Sequence, residues 1–348
     1  MNIGIVTPYD SANYGAYLQA YASMTFLHHL GHNVFFIQWR SEIERKKIFF
    51  PARRGIIQRC RGAIQYTHRK QNYKQMTEAI KQFDIIDIKD AEEILDLVVI
   101  GSDEVWNVNI RSFQNPVFWG LSFSAPVLAY APSMGNAKLS DFSSFPEYIH
   151  GINKINIIGV RDENTSSIVS ILGSYMPEIV CDPTLLCDCN DYQISNKRII
   201  EKPYLLVYAY NIQREHVEYI KKYAKAHQLK TVSVCMRHSW CDYNICVHPL
   251  EFISMIRDAE CVYTTTFHGS IFTLMQHKKC CISAKSKKVQ DLLSWTGMSD
   301  VVLQKDCYEE FSAIISEQQN YDIFEKNVSV RKNHSIALYK NALIEGES

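Results

Sequence analysis

The sharpest candidate for chemistry in this sequence is the run Thr264-Thr265-Thr266-Phe267-His268-Gly269-Ser270. A buried strand (Cys261 to Thr264) ends there, a histidine follows, and Gly269 and Ser270 open an almost wholly apolar helix. An imidazole at the carboxyl end of a strand titrates near neutrality and can take up a hydroxyl proton or hold phosphate, beside the free N–H groups of a helix start. A purely structural histidine is the competing reading. Thr266, Gly269 and Ser270 supply hydroxyl and backbone donors suited to an oxyanion, although threonines at a strand end also simply fit β propensity.

Three further stretches carry groups of the same kind. In Gly159-Val160-Arg161-Asp162-Glu163 an arginine stands between a strand and a helix, where its planar fork suits a carboxylate or phosphate; a structural salt bridge with Asp162 or Glu163 is the alternative. Gly101-Ser102-Asp103-Glu104-Val105-Trp106-Asn107 follows the apolar strand Leu97 to Ile100. Its carboxylates and amide suit sugar hydroxyls and Trp106 suits packing on a ring, while capping of the next helix by Ser102 or Asp103 is the plainer role. The turn Ser11-Ala12-Asn13-Tyr14-Gly15-Ala16 opens the first helix and offers either an anion seat or a mere cap, with Asn13 capping and Gly15 allowing tight packing. Cys181-Asp182-Pro183-Thr184 closes another strand, where Asp182 reads as the start of a turn.

The elements that must position these groups alternate between periods of two and 3.6. A short strand (Asn2 to Tyr9) leads into a helix with apolar residues at Tyr17, Ala20, Tyr21, Met24, Leu27 and Leu30, closed by Gly31, and then into the strand Val34 to Trp39. Further strands are expected at Leu97 to Ile100, Val127 to Tyr130, Ile155 to Val160 and Glu178 to Cys181. After a polar stretch from Asp188 to Lys202 the series restarts at Tyr204 to Tyr208, Thr231 to Met236, Cys261 to Thr264 and Cys280 to Ser283, interleaved with helices at Gln213 to His227, Pro249 to Asp258, Gly269 to His277 and Val289 to Trp295. This is the pattern of an α/β protein with two doubly wound, Rossmann-like domains facing across a cleft. The expected spans are 1–190, on the acceptor side, and 203–348, on the donor side, with C-terminal helices packing back on the first domain.

Composition narrows the function class. Lysine plus arginine and aspartate plus glutamate both number 37 in 348 residues, so no charge bias points to nucleic acid. The segment from Arg40 to Lys74 is locally basic, with eleven cations against Glu42 and Glu44, and carries Ile48, Phe49, Phe50, Ile56 and Ile57 among them. It reads as a surface for anionic lipid or an acceptor's diphosphate, or as a solvated helical face. Eleven cysteines without a CxxC pair argue against a disulfide framework or zinc site; Cys187, Cys189, Cys280 and Cys281 read as strand residues. No metal ligand cluster and no cofactor is expected. The N-terminus lacks the charged and apolar regions of a signal peptide, and no stretch reaches the roughly 18 apolar residues of a membrane span, so a cytoplasmic, at most peripheral, location is expected.

Taken in order, Asn13-Tyr14-Gly15-Ala16-Tyr17-Leu18-Gln19-Ala20-Tyr21, Leu30-Gly31-His32, Gly101-Ser102-Asp103 with Val105-Trp106-Asn107, Tyr130-Ala131-Pro132-Ser133-Met134-Gly135, Val160-Arg161-Asp162-Glu163, Asp182-Pro183-Thr184 and Phe267-His268-Gly269 resemble the polysaccharide pyruvyl transferase family. The resemblance implies a GT-B-like fold, phosphoenolpyruvate as donor and a cyclic pyruvate ketal as product. It also implies His268 and Arg161 in catalysis and donor binding. The chain departs from the family's pattern at Thr265, Thr266 and Glu104, where other members carry aspartate, arginine and glutamine.

Under that resemblance His268 serves as acid or base and Arg161 holds the donor's carboxylate or phosphate, with Thr266, Gly269, Ser270, Asn13 and Gly15 beside them. Asn13, Tyr14, Asp103, Glu104, Trp106 and Asn107 orient the acceptor, a glycan expected on a polyprenyl diphosphate at the inner face of the cytoplasmic membrane. The rival readings are a nucleotide-sugar glycosyltransferase of the same architecture and a non-catalytic glycan-binding protein.

Overall fold

Two all-parallel sheets organise the computed structural model, which describes residues 1–51, 62–173, 176–192 and 194–345. The first sheet contains β1 (Asn2–Val6), β2 (Asn33–Gln38), β3 (Ile85–Asp87), β4 (Leu97–Ile100), β5 (Val127–Tyr130) and β6 (Asn156–Gly159), in the order β3-β2-β1-β4-β5-β6. The second contains β7 (Tyr204–Tyr208), β8 (Lys230–Val234), β9 (Tyr243–Ile245), β10 (Cys261–Thr264) and β11 (Cys280–Ile282), in the order β11-β10-β7-β8-β9. Central strands such as β4 and β7 are buried along their whole length, which is why they read as unbroken apolar runs.

The helices joining the first series are α1 (Tyr14–His29), α2 (Glu42–Phe49), α3 (Gly62–Ala79), α4 (Ala91–Ile94), α5 (Pro146–Ile152) and α6 (Glu163–Gly173). In the second series they are α7 (Arg214–Ala226), α8 (Pro249–Asp258), α9 (Phe267–Met275), α10 (Lys287–Thr296), α11 (Tyr308–Ser316) and α12 (Asp322–Glu345). Alternation along β7 shows the layering: Leu206 and Tyr208 join a core shared with Ile3, Ile5 and α1, whereas Leu205 and Val207 join a separate core against α7 and α11. The shared core fixes one sheet against the other. The long α12 reaches back across it: Tyr339 stacks on Tyr130 of β5 at 4.4 Å, and Ser335 Oγ accepts the Cys181 N–H at 3.0 Å.

Several expectations shift. Helix α9 begins at Phe267, two residues before Gly269, because the Thr266 side chain accepts the Gly269 N–H and caps it there. His268 therefore sits in the first helical turn and not ahead of it. The stretch 178–181 forms a single bridge, Val160 to Ile179, and no strand. Cys187 and Cys189 lie in irregular and 3₁₀ backbone, while Cys280 and Cys281 are strand residues as expected.

Part of the basic run, residues 52–61 with Arg53, Arg54, Ile56, Ile57, Arg59 and Arg61, lies outside the described residues. Elsewhere in it Arg40 is committed internally, 3.1 Å from the buried Asp10 carboxylate and over the Trp39 ring, and Arg45 donates to Tyr73 and Thr77. Among the described residues no helix is long and apolar enough to cross a membrane.

Candidate active site in the cleft between the sheets

In each sheet the strand order reverses at one point: between β1 and β4 in the first, between β7 and β10 in the second. Loops leaving the carboxyl ends of such strands open a crevice. Here the two crevices meet. A pocket of about 370 Å³ is lined by Asn13 after β1, Asp103 and Glu104 after β4, Tyr210 after β7, and Thr265, Thr266 and His268 after β10, with Ser286 and Lys288 completing it. Asn13, Thr266 and Ser286 are the caps of α1, α9 and α10, so three helix N-termini aim positive dipole ends at one space. The Ser286 hydroxyl is buried there and has no hydrogen-bond partner among the described residues.

A buried carboxylate lies between Arg161 and His268. Asp182 Oδ2 lies 3.1 Å from Arg161 Nη1 and 3.5 Å from His268 Nε2, and Ser102 Oγ is 3.3 Å away. Its other oxygen accepts the Thr184 N–H at 3.1 Å and hydroxyl at 2.8 Å, which is the turn role the sequence suggests. Holding both His268 and Arg161 is the role local sequence does not show.

Burial pushes the Asp182 carboxyl up, but His268 and Arg161 outweigh it and hold it well below the usual carboxylate range. Asp103 shows the same balance: burial opposes ionisation, and Arg161, Lys288 and His268 overcome it. Arg161 in turn pairs with Asp103 at 3.5 Å, so it meets Asp103 and Asp182 and not the adjacent Asp162 or Glu163. Asp103 takes a positive φ of 75° after β4, a conformation aspartate tolerates better than most residues, and caps no helix.

The remaining candidates separate into those at the pocket and those behind it. Asn13 is at the pocket, its Oδ1 accepting the Gly15 N–H at 2.8 Å and the Tyr208 hydroxyl at 2.9 Å. Glu104 is there too, paired with Lys288 at 2.7 Å. Trp106 is not: it is fully buried, stacked on Trp119, and its Nε1 donates to Phe118 O at 2.8 Å, so it offers no face to a sugar. Tyr14 is also buried, its hydroxyl accepting the Val247 N–H at 3.0 Å and its ring against Tyr208 and Phe252, where it packs one domain on the other. Asn107 does not line the pocket and donates to Glu104 at 3.3 Å.

Ser270 turns its hydroxyl back to Thr266 O at 2.8 Å, and the N–H groups of Gly15 and Gly269 are taken by the caps Asn13 and Thr266. None of these three is open to an anion. Tyr210, Ser286 and Lys288 are pocket residues that spacing does not single out.

Phe267 divides this pocket from a second cavity of about 230 Å³, where Arg161 and Asp182 are joined by Lys287, Arg331 and Trp295. The Arg161 guanidinium lies over the Phe267 ring at 4.8 Å. His268 thus faces the cleft while Arg161 opens behind it, and the carboxylate of Asp182 spans the partition.

Gly15 sets the approach of His268. A Cβ at position 15 would fall 2.6 Å from Cγ of the imidazole, so any side chain there pushes the ring off the start of α1. Gly15→Ala is expected to lower turnover about tenfold or more through a misplaced catalytic group, since the added Cβ also falls 2.6 Å from Cβ of His268 and so displaces the start of α9. A rate equal to that of the native protein would show that the imidazole need not sit there.

Two parallel-sheet domains with their switch-point loops converging on one cleft form a GT-B-like architecture. The chain belongs to the polysaccharide pyruvyl transferase family, whose model matches residues 13–284, a span that holds Asn13, Asp103, Arg161, Asp182 and His268. No curated protein sequence matches it. Its fold is similar to that of UDP-GlcNAc 2-epimerase from Neisseria meningitidis bound to UDP-GlcNAc (TM-score 0.53, 11% identity, 99% of this chain and 100% of that one). It is also similar to the Anabaena HepE protein in complex with UDP and glucose (TM-score 0.53, 9% identity, 99% of each chain).

Proposed function

We propose that this chain transfers the pyruvyl group of phosphoenolpyruvate to two hydroxyls of a glycan precursor, forming a cyclic ketal during assembly of a bacterial surface polysaccharide. The observation that carries this reading is the buried carboxylate of Asp182, 3.1 Å from Arg161 and 3.5 Å from His268, the imidazole that faces the pocket where the switch-point loops of both sheets meet. In this reading residues 1–190 take the acceptor and residues 203–348 the donor. No metal or cofactor enters the scheme, and the described residues contain no cluster of three or more metal-ligating side chains.

Ketal formation balances as follows. The vinyl carbon of the donor takes up a proton, one hydroxyl adds to the neighbouring carbon, phosphate leaves, and a second hydroxyl closes the ring. Of the two protons lost by the hydroxyls, one replaces that delivered to carbon and one departs with phosphate. His268, the imidazole of this pocket, serves as acid or base. Lys288 and the N-termini of α9 and α10 stabilise the charge gathering on phosphate. Asp103 and Glu104 orient the hydroxyls.

The acceptor in this proposal hangs from a polyprenyl diphosphate at the inner membrane face. Ile43, Ile64 and Tyr66 are exposed on α2 and α3 beside Lys47 and Lys70, as such a location requires. A thermal-shift panel tests the donor. Phosphoenolpyruvate at a hundred times its dissociation constant should add about 2.7 kcal/mol of stability. Stabilisation by UDP-sugars and none by phosphoenolpyruvate would overturn the donor assignment in favour of glycosyl transfer.

A further inference from the structure

Beyond Asn13 and Tyr210, which line both spaces, the cleft continues into a larger cavity of about 740 Å³ between α2, α3 and the loops that follow β7 and β8. Its lining differs from the rest of the cleft in charge. The pocket around His268 carries Asp103 and Glu104, and the cavity behind Phe267 carries four carboxylates, but among the described residues no acidic one lines this cavity. Arg69 and Arg237 do. Arg237 makes no ion pair among the described residues, so no carboxylate neutralises its charge at the cavity wall. A recess lined by one sign of charge focuses the field on a ligand of the opposite sign.

Two neighbours agree with that field. His68 has its Nε2 2.9 Å from Cys235 O; burial first, and Arg237 as well, hold this imidazole toward its neutral form against the pull of that bond. Asn72, 6% exposed, donates to Ala12 O at 3.0 Å, and among the described residues its buried Oδ1 has no partner, leaving on the cavity wall an acceptor suited to a hydroxyl. Trp240 adds a flat apolar face.

We infer that this cavity is the acceptor's anionic subsite, and that it takes the diphosphate of a glycosyl diphosphate. The inference rests on the reading of His268 as the reactive end of the cleft. With the sugar ring at the Asn13–Tyr210 junction, its hydroxyls face the imidazole while the phosphates on its anomeric oxygen lie toward Arg237. A guanidinium holds such oxygens by paired N–H bonds, and that of Arg237 lines this cavity. Ile48 and Phe49 of α2 lie on the same wall, where a lipid tail attached to the diphosphate would leave.

Calorimetric titration of the full chain with pyrophosphate, farnesyl diphosphate and UDP tests this directly. Pyrophosphate should bind, more weakly as salt rises, and Arg237→Ala should weaken it by about tenfold to a hundredfold, the size of a lost charge-assisted contact. Arg237→Lys should restore part of the loss, and unchanged thermal midpoints would show that both variants fold. Tighter binding of farnesyl diphosphate than of UDP assigns the diphosphate to a lipid, and the reverse order to a nucleotide. No binding of any of the three, or binding indifferent to residue 237, overturns the subsite.

Phosphoenolpyruvate titrated in parallel into the Arg237→Ala chain reports on the donor site, free of any contribution from that guanidinium. If it fails to bind while diphosphates obey Arg237, the donor reading falls and the subsite stands. If it binds and diphosphates do not, the outcome is the opposite.

Discussion

Replacing His268 by alanine is expected to lower turnover at least a hundredfold and to leave the fold in place. The rate effect follows from the size of general acid or base catalysis, roughly 10² to 10⁴. Retention of the fold follows from what remains around Asp182. Arg161 at 3.1 Å, Ser102 at 3.3 Å and the Thr184 N–H and hydroxyl still satisfy the carboxylate, so losing the imidazole does not orphan a buried charge. The loss should fall on kcat with a smaller change in donor affinity, and the limb of the pH–rate profile that an imidazole contributes should vanish. A near-native rate would remove His268 from the mechanism and leave the site as a binding cleft.

The Gly15 and His268 variants act on the same ring by different routes. One removes the imidazole, and the other keeps it but denies it the space beside α1. Similar losses of kcat from both would mean that the position of the ring, and not only its presence, carries the rate. The imidazole is set by a glycine in the first turn of α1 and a carboxylate from the far side of the same sheet, although it belongs to the other domain.

That long-range assembly explains what the sequence does and does not reveal. Strands β4 and β7 are legible because each is an unbroken apolar run buried along its whole length; β3 and β9, three residues each and partly exposed, show no such run. Asn13 was legible as a cap because its partner is two residues away. Asp182 read only as a turn, since Arg161 lies 21 residues before it and His268 lies in another domain. Trp106 misled because an aromatic among polar residues fits either a sugar platform or a core. The choice is settled by Phe118 and Trp119, which accept its N–H and stack on its ring. Lys288 was hidden in Lys285-Ser286-Lys287-Lys288, a run that resembles any solvated helix start, yet it reaches Glu104 across the cleft.

Arg161 poses a different test, because its removal does leave charge behind. Its side chain is 3% exposed and lies between two carboxylates, Asp182 and Asp103. Arg161→Met keeps much of the volume but strips both of their nearest fixed cation, and breaking a buried pair in this way costs about 3–5 kcal/mol near neutral pH. The pH dependence has a definite sign. Both carboxyls titrate below their ordinary values in the native protein, so their contribution to stability is fully present above the unfolded carboxyl pKa of about 4 and is lost as pH falls through the lower native values. In Arg161→Met their affinity for protons rises, so acidification neutralises the stranded charges and narrows the gap to the native protein. Denaturation midpoints measured between neutral pH and about pH 4.5 should therefore converge. A deficit that stays constant over that interval would mean that lost packing against Phe267, and not the buried charge, accounts for the destabilisation.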